Sequence, residues 1–180
     1  IKKYGYKFKP GHLLNGDFTQ GTQSWELQPA SGGSISTGNF KGWGKMQGRG
    51  AGVGQSGKGG DNFLVMRRGG RPNKASQTIK NLEPGKKYLL QYLVAGMSGG
   101  SAVSFGAKID NVRIIPDGSF DYYHGKGRSV GGKKIYPSWR RIIFVANGNT
   151  ARLTLSDNGG SPSGQETRVN FISCLPYYDE

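Results

Sequence analysis

Several aromatic residues of this sequence lie outside its apolar runs, and their chemistry suits sugar binding. Trp43 stands alone in a glycine-rich stretch, Tyr122, Tyr123 and His124 are consecutive, and Tyr136 precedes a proline. Aromatic rings bind the C–H faces of a sugar only when they are exposed, while amide and charged side chains hold the hydroxyl groups. We therefore predict that these five residues bind a ligand. The alternative is that their rings fix long loops onto the body of the protein.

Basic residues accompany these rings. Arg67, Arg68 and Arg71 fall in one short segment, and the whole chain has 25 Lys and Arg against 11 Asp and Glu, a formal net charge of +14. Arginine binds carboxylate or sulfate through two parallel hydrogen bonds, so we predict an acidic polysaccharide as ligand and these arginines as binding residues. The alternative is a solvated basic face. We do not expect nucleic acid, because no basic helix and no RNA-binding aromatic strand occurs.

Two glycine motifs match catalytic or nucleotide-binding patterns, but neither has the required surroundings. The stretch Gly52–Lys58 resembles a phosphate-binding loop and Gly96–Gly100 resembles a nucleophile elbow around Ser98. Each motif must lead into a helix, and the residues that follow both are glycine-rich or strand-like. With only two histidines, no zinc-binding pattern is present either. We predict a protein that is not an enzyme and has no catalytic residues.

The elements that would position these side chains are β-strands. Glycine makes up 32 of 180 residues, and it is costly inside helices. Leu13–Thr19 predicts an early strand, and Lys87–Ala95 is apolar at both parities, which is typical of a central strand. Asn147-Gly148 predicts a hairpin between Trp139–Ala146 and Ala151–Ser156. We predict an all-β fold.

The distribution of charged, apolar and glycine residues predicts one domain with a segment at each end. We predict a basic aromatic arm over 1–12, a β-sandwich over 13–175 with a long glycine-rich loop over 32–60, and a tail over 176–180. A membrane-spanning helix needs about 20 consecutive apolar residues, and no such stretch occurs, so we predict no transmembrane segment.

A series of short motifs resembles the galactose-binding-like and family 4/9-type carbohydrate-binding jelly rolls. In chain order they are Leu13-Leu14-Asn15-Gly16-Asp17-Phe18, Ser24-Trp25, Gly60–Val65, Ala75–Ile79, Leu82-x-Pro84-Gly85-x-x-Tyr88, Ser138–Phe144 and Arg168–Ser173. The resemblance implies a single-domain antiparallel β-sandwich that binds glycans without catalysis. The apolar residues of these motifs are expected to pack the core of the sandwich: Phe18, Trp25, Leu64, Ile79, Leu82, Tyr88 and Trp139.

The same resemblance implies a structural calcium near the first and last strands, with Asp17 as a ligand; no other cofactor is expected. The acid pair usual on the last strand is replaced here by Asn170-Phe171-Ile172. We predict a non-catalytic, extracytoplasmic domain (secreted, periplasmic or at the cell surface) that binds an acidic or cell-surface polysaccharide. The alternative is a structural subunit of a cell-surface or multi-protein assembly, held to other protein subunits by its arm and glycine-rich loop.

Overall fold

The fold is an antiparallel β-sandwich, as predicted. A computed structural model describes residues 11–41, 43, 61–96, 105–117, 119, 122–124, 128–130, 133–157 and 164–178, with the backbone only over 122–124, 128–130 and 133–136. Every element whose bounds lie within these ranges is a strand, and the strands form two antiparallel sheets; Trp43 is in a helical conformation. The predicted arm up to residue 10, most of the glycine-rich loop and both glycine motifs around Lys58 and Ser98 lie outside the described residues.

Twelve strands are found in the described part of the chain. They are β1 (Glu26–Gln28), β2 (Ser34–Asn39), β3 (Asn62–Arg67), β4 (Lys74–Ile79), β5 (Lys87–Gly96), β6 (Phe105–Asp110), β7 (Val112–Ile115), β8 (Tyr122–His124), β9 (Arg128–Val130), β10 (Lys133–Ala146), β11 (Ala151–Asp157) and β12 (Glu166–Pro176).

The two sheets differ in size. The smaller has the order β1-β4-β11-β6, and the larger has the order β2-β3-β12-β5-β10-β7, with β8 and β9 also paired to β10. The prediction that β5 is central is confirmed, since it lies between β12 and β10. Its Tyr88, Leu90, Tyr92 and Val94 face the other sheet in the core. Leu93 and Ala95, on the opposite parity, are buried on the outward face.

The core between the sheets contains most of the expected side chains. Phe18, Trp25, Leu64, Ile79, Leu82 and Tyr88 all belong to it, as predicted. The prediction for Trp139 is wrong, because the core side of β10 belongs to Ile142 and Phe144, and Trp139 is at the other parity. It pairs with the outward-facing Leu93 of β5 and lies on the outer face of the larger sheet.

The predicted hairpin at Asn147-Gly148 is also wrong. β10 pairs with β5 and β7 in the larger sheet, whereas β11 pairs with β4 and β6 in the smaller one. The end of β10 has no free edge, since Ala146 exchanges backbone hydrogen bonds with residues 85 and 86 and Asn147 donates to the Asn111 carbonyl at 3.3 Å. The turn therefore carries the chain from one sheet to the other.

Two other segments differ from the prediction. Leu13–Thr19 forms turns instead of a strand, because Asn15 and Phe18 have φ values of 50° and 56°. The Asn15 side chain donates to the carbonyls of Gly21 and Gln23, and the backbone carbonyl of Asn15 accepts the Trp25 indole N–H at 3.0 Å. The start of the predicted loop over 32–60 contains a strand, β2, at the edge of the larger sheet.

Candidate functional site

The outer face of the larger sheet carries a partly buried pair of aromatic rings. The rings of Trp139 on β10 and Phe171 on β12 stack with centroids 6.0 Å apart and an interplanar angle of 23°. Both side chains are partly exposed, and the buried Leu93 of β5 lies between their strands. Partly exposed rings on a sheet offer apolar contact area, and the C–H face of a sugar packs on aromatic surfaces of this kind.

A β-bulge in β12 places the Phe171 ring. Asn170 pairs with Leu93 and Ser173 pairs with Gln91, so β12 has one residue more than β5 over this interval. Phe171 has a φ of 53°, in the left-handed region that non-glycine residues rarely adopt. Bulges re-aim side chains, and this one brings Phe171 onto the same face as Trp139.

The bulge is fixed by the turn that precedes Asp17. The Ile172 N–H donates to the Gly16 carbonyl at 3.0 Å. A Cβ atom on Gly16 would collide with the Ile172 carbonyl oxygen, so only glycine allows this approach. The Asn15-Gly16 pair of the opening motif therefore has a structural explanation, because it anchors both Trp25 and the bulge that carries Phe171.

A polar row borders the two rings. One step along the same face, Arg141 of β10 and Ser173 of β12 both pair with Gln91 of β5. Side chains opposite each other in neighbouring strands project on the same face, and all three are partly exposed. They offer a guanidinium, a hydroxyl and an amide next to the rings. We name the surface formed by Trp139, Phe171, Gln91, Arg141 and Ser173 the aromatic face.

Sequence reasoning missed the aromatic face. The resemblance predicts Trp139 in the core, and parity gives no signal against this, because Ile143 and Val145 at the parity of Trp139 are as apolar as Ile142 and Phe144. Phe171 carries no signal either, because a bulge changes parity within a strand. Gln91, Arg141 and Ser173 become a group only through the register of three strands that are distant in sequence.

Trp43 is buried instead of exposed. It has 0% relative exposure, and its ring lies 4.8 Å from that of Phe63. The guanidinium of Arg168 lies over both rings, 5.2 Å from the Trp43 centroid and 4.5 Å from the Phe63 centroid. This arrangement matches the alternative in which the ring fixes a loop onto the sheet. Sugar stacking on Trp43 would require that it be uncovered, so its binding role stays a prediction.

The tyrosine and histidine candidates are close to the aromatic face in backbone terms. In β8, Tyr123 pairs with Trp139 of β10, with Tyr122 and His124 on either side of it, and Tyr136 of β10 pairs with Gly96. The fold thus brings Tyr122–His124 and Trp139 together on neighbouring strands. The binding roles of these four residues stay predictions.

The three arginine candidates lie in different surroundings. Arg67 and Arg71 are exposed, whereas Arg68 has 7% exposure. Arg68 adjoins a buried polar cluster in which the carboxylate of Asp157 accepts hydrogen bonds from the backbone N–H and side-chain amide of Asn73, at 2.6 and 2.8 Å. Burial raises the pKa of Asp157, and the Asn73 hydrogen bonds and the Arg68 charge offset this only in part. Arg67 and Arg71 are therefore open to solvent whereas Arg68 is not, and the binding roles of all three stay predictions.

Asp17 has few of the neighbours that calcium requires. Its Oδ1 accepts hydrogen bonds from the backbone N–H and the hydroxyl of Thr19, at 3.2 and 2.9 Å. No group of three His, Cys, Asp or Glu side chains comes together among the described residues, and calcium needs six to eight oxygen ligands. The described acidic side chains alone thus do not make a calcium site around Asp17, and the calcium site stays a prediction. Within the described ranges, no helix has the length and hydropathy to cross a membrane.

Comparisons with known proteins extend the description of the fold. No protein-family model and no curated protein matches this chain. It is similar in structure to the enzymatically active domain of tailspike protein 4 from bacteriophage CBA120, with a TM-score of 0.56, 14% identity and coverage of 92% of this chain. It spans 21% of that tailspike chain, so the likeness concerns the fold alone.

A second solved structure is a carbohydrate-binding module, TmCBM61, in complex with β-1,4-galactotriose. The TM-score is 0.48 and the identity 12%, and the match covers 94% of this chain and 100% of that one.

Proposed function

We propose that this chain is a non-catalytic carbohydrate-binding domain that acts outside the cytoplasm and binds an acidic or cell-surface polysaccharide on the aromatic face. The observation that supports this most directly is the stacked pair of Trp139 and Phe171 beside the row of Arg141, Gln91 and Ser173. Rings supply apolar contact for a sugar, and the neighbouring row supplies hydrogen bonds that select its orientation.

Charge gives the preference for an acidic glycan. Arg141 adjoins the rings on β10, and a guanidinium binds a carboxylate more strongly than it binds a neutral hydroxyl. The net charge of +14 adds a long-range attraction for any polyanion, which raises the association rate at low salt. In this proposal the rings determine the position at which the glycan binds, and the net charge raises the association rate of acidic glycans above that of neutral ones.

The test is a glycan array probed with the intact chain at about 50 mM and about 500 mM NaCl, because salt screens charge attraction and leaves ring stacking in place. We expect acidic glycans to dominate at low salt and a subset of glycans to remain bound at high salt. If every signal disappears at high salt, the chain is only a polycation and the proposal fails.

A second candidate function is that of an assembly subunit, and one feature favours it. Leu175 on β12 has 57% exposure and pairs with Leu89 of β5 on the outer face of the larger sheet, which leaves an apolar row open to another protein. Light scattering during size-exclusion chromatography separates the two functions. A concentration-dependent oligomer that Leu175→Ser converts to monomer would favour assembly, whereas a monomer at all concentrations would favour glycan binding.

A further inference from the structure

The outward side of the smaller sheet contains a groove, which faces away from the aromatic face. Its volume is about 690 Å³, within the range of ligand-binding cavities. Its lining includes Lys74, Ser76, Gly106, Arg152, Thr154 and Ser156. A further cavity of about 350 Å³ shares Ser76 and Arg152 with it and extends towards Lys80. We name the two together the polar groove.

Hydroxyl groups form the floor of the polar groove. The hydroxyls of Ser76 and Thr154, on adjacent strands, lie 3.2 Å apart. Ser156 pairs with Gly106 of β6, and because glycine has no side chain, the face is depressed at this point. Ser156 is 7% exposed, and its Oγ has no hydrogen-bond partner among the described residues. A buried hydroxyl without a partner is costly. The Ser156 Oγ is covered in this structure, and a rotation of its side chain towards the groove would let a ligand oxygen satisfy it.

Two cations of the polar groove have no acidic side chain as partner among the described residues. Glu26 forms an ion pair with Arg152, and Asp110 pairs with Lys108 at 3.4 Å. Lys74 and Lys80 are exposed and have no acidic partner within the described part of the chain. Their backbones are six residues apart along an extended chain, which corresponds to about 20 Å, and their long flexible side chains can bring the two ammonium groups closer together than that. Two such cations suit a short ligand with anionic groups spaced along its length.

We propose that the polar groove is a second binding site, and that it takes an acidic oligosaccharide whose carboxylates lie near Lys74 and Lys80 while its hydroxyl groups contact Ser76, Thr154 and Ser156. No Phe, Tyr or Trp lines either cavity, so the bases of a single-stranded nucleic acid would find no ring to stack on. The groove shares no residue with the aromatic face, so this site is independent of the function proposed above.

The experiment is an NMR titration of the isotope-labelled intact chain with the galacturonic acid trisaccharide and, separately, with neutral galactotriose. We expect the acidic probe to shift the amide signals of Ser76, Thr154 and Ser156, and the neutral probe to shift them less. The variant K74Q/K80Q should weaken binding of the acidic probe about tenfold at low salt. The control K41Q/R113Q removes the same charge from exposed positions outside the groove and should change affinity by about twofold or less.

Ser156→Ala distinguishes a ligand contact from a structural one. Because the hydroxyl lacks a partner, its removal should leave the melting temperature unchanged or slightly higher, while the affinity for the acidic trisaccharide falls about fivefold. Trp139→Ala should leave the groove signals unaffected. Its effect on other glycans reports on the aromatic face separately.

Any of four results would overturn the inference. The first is that the neutral trisaccharide binds the groove as tightly as the acidic one, and the second is that the acidic probe shifts no groove amide. The third is that oligothymidylate displaces the acidic probe from the groove more effectively than further trisaccharide does. The fourth is that K74Q/K80Q and K41Q/R113Q bind the acidic probe with equal affinity.

Discussion

Gly16 and Ile172 approach each other backbone to backbone, with the Ile172 N–H donating to the Gly16 carbonyl at 3.0 Å and no space for a Cβ atom between them. This contact joins the opening turn of the chain to the bulge in its last strand, and the bulge carries Phe171. The aromatic pair of Phe171 and Trp139 therefore depends on a glycine that lies far from both in sequence.

Gly16→Ala should destabilise the fold and disturb the aromatic pair. The added methyl group must displace the Ile172 carbonyl, and overpacking of this kind costs about 1–3 kcal/mol. Gly70→Ala is the matched control, since a Cβ there would have no neighbour within 4 Å. Urea denaturation measures the free energy of unfolding of both variants. Equal stabilities would mean that the Gly16–Ile172 contact does not constrain the bulge.

The buried Asp157 predicts a pH dependence of stability. Burial raises its pKa above the ordinary value of 3.8, so the native state holds the proton more tightly than the unfolded chain does. Its contribution to the free energy of unfolding is therefore largest below the unfolded pKa and falls as pH rises through the raised native pKa. The difference in unfolding free energy between the unaltered chain and Asp157→Asn should decrease from about pH 3.5 to about pH 7.

Asp117→Asn, which alters an exposed carboxylate, provides the background for that comparison. Urea denaturation at each pH gives the free energy of unfolding of the unaltered chain, Asp157→Asn and Asp117→Asn. An Asp157 difference that grows as pH rises would contradict the prediction, because it would mean that the ionised carboxylate is favoured in the folded protein.

Cys174 should be inert while the protein is folded. Its side chain lies in the core with 5% exposure, and burial raises its pKa to about 12 from 9.0. The thiolate fraction at about pH 8 is then about a thousandfold lower than that of a free thiol. We expect no reaction with a disulfide reagent (Ellman's reagent) until about 6 M guanidinium chloride unfolds the chain. Full labelling within seconds in plain buffer would show that the core around β12 opens readily.

The sequence predicted the positions of the strands better than it predicted which strands pair with each other. The apolar character of Lys87–Ala95 at both parities located β5 in the centre of a sheet, because a strand covered on both faces has no polar side. The Asn147-Gly148 motif led to a wrong prediction, because a turn motif indicates only that two strands are consecutive in the chain. Whether they share a sheet is decided by neighbours such as β5 and β7, which occupy both edges of β10.

The residues of the candidate site were harder to predict from the sequence than the fold was. Trp43 and Trp139 both differ from their expected surroundings. The Trp43 ring, expected to be exposed, is buried under Arg168, and the Trp139 ring, expected in the core, lies on the outer face of the larger sheet. Local composition marks whether a segment is apolar, but the covering of an outer sheet face depends on loops and bulges from elsewhere. The left-handed Phe171 is an example, since no residue preference indicates it.

The most direct test of glycan binding on the aromatic face compares two substitutions of one residue. Calorimetric titration with an array glycan that remains bound at high salt gives the dissociation constant of the unaltered chain, Trp139→Ala and Trp139→Phe. Because the Trp139 indole N–H has no hydrogen-bond partner among the described residues, Phe keeps a ring without losing a bond. We predict at least a tenfold weaker affinity for Trp139→Ala and about threefold or less for Trp139→Phe. Unchanged affinity in a folded Trp139→Ala protein would contradict the account.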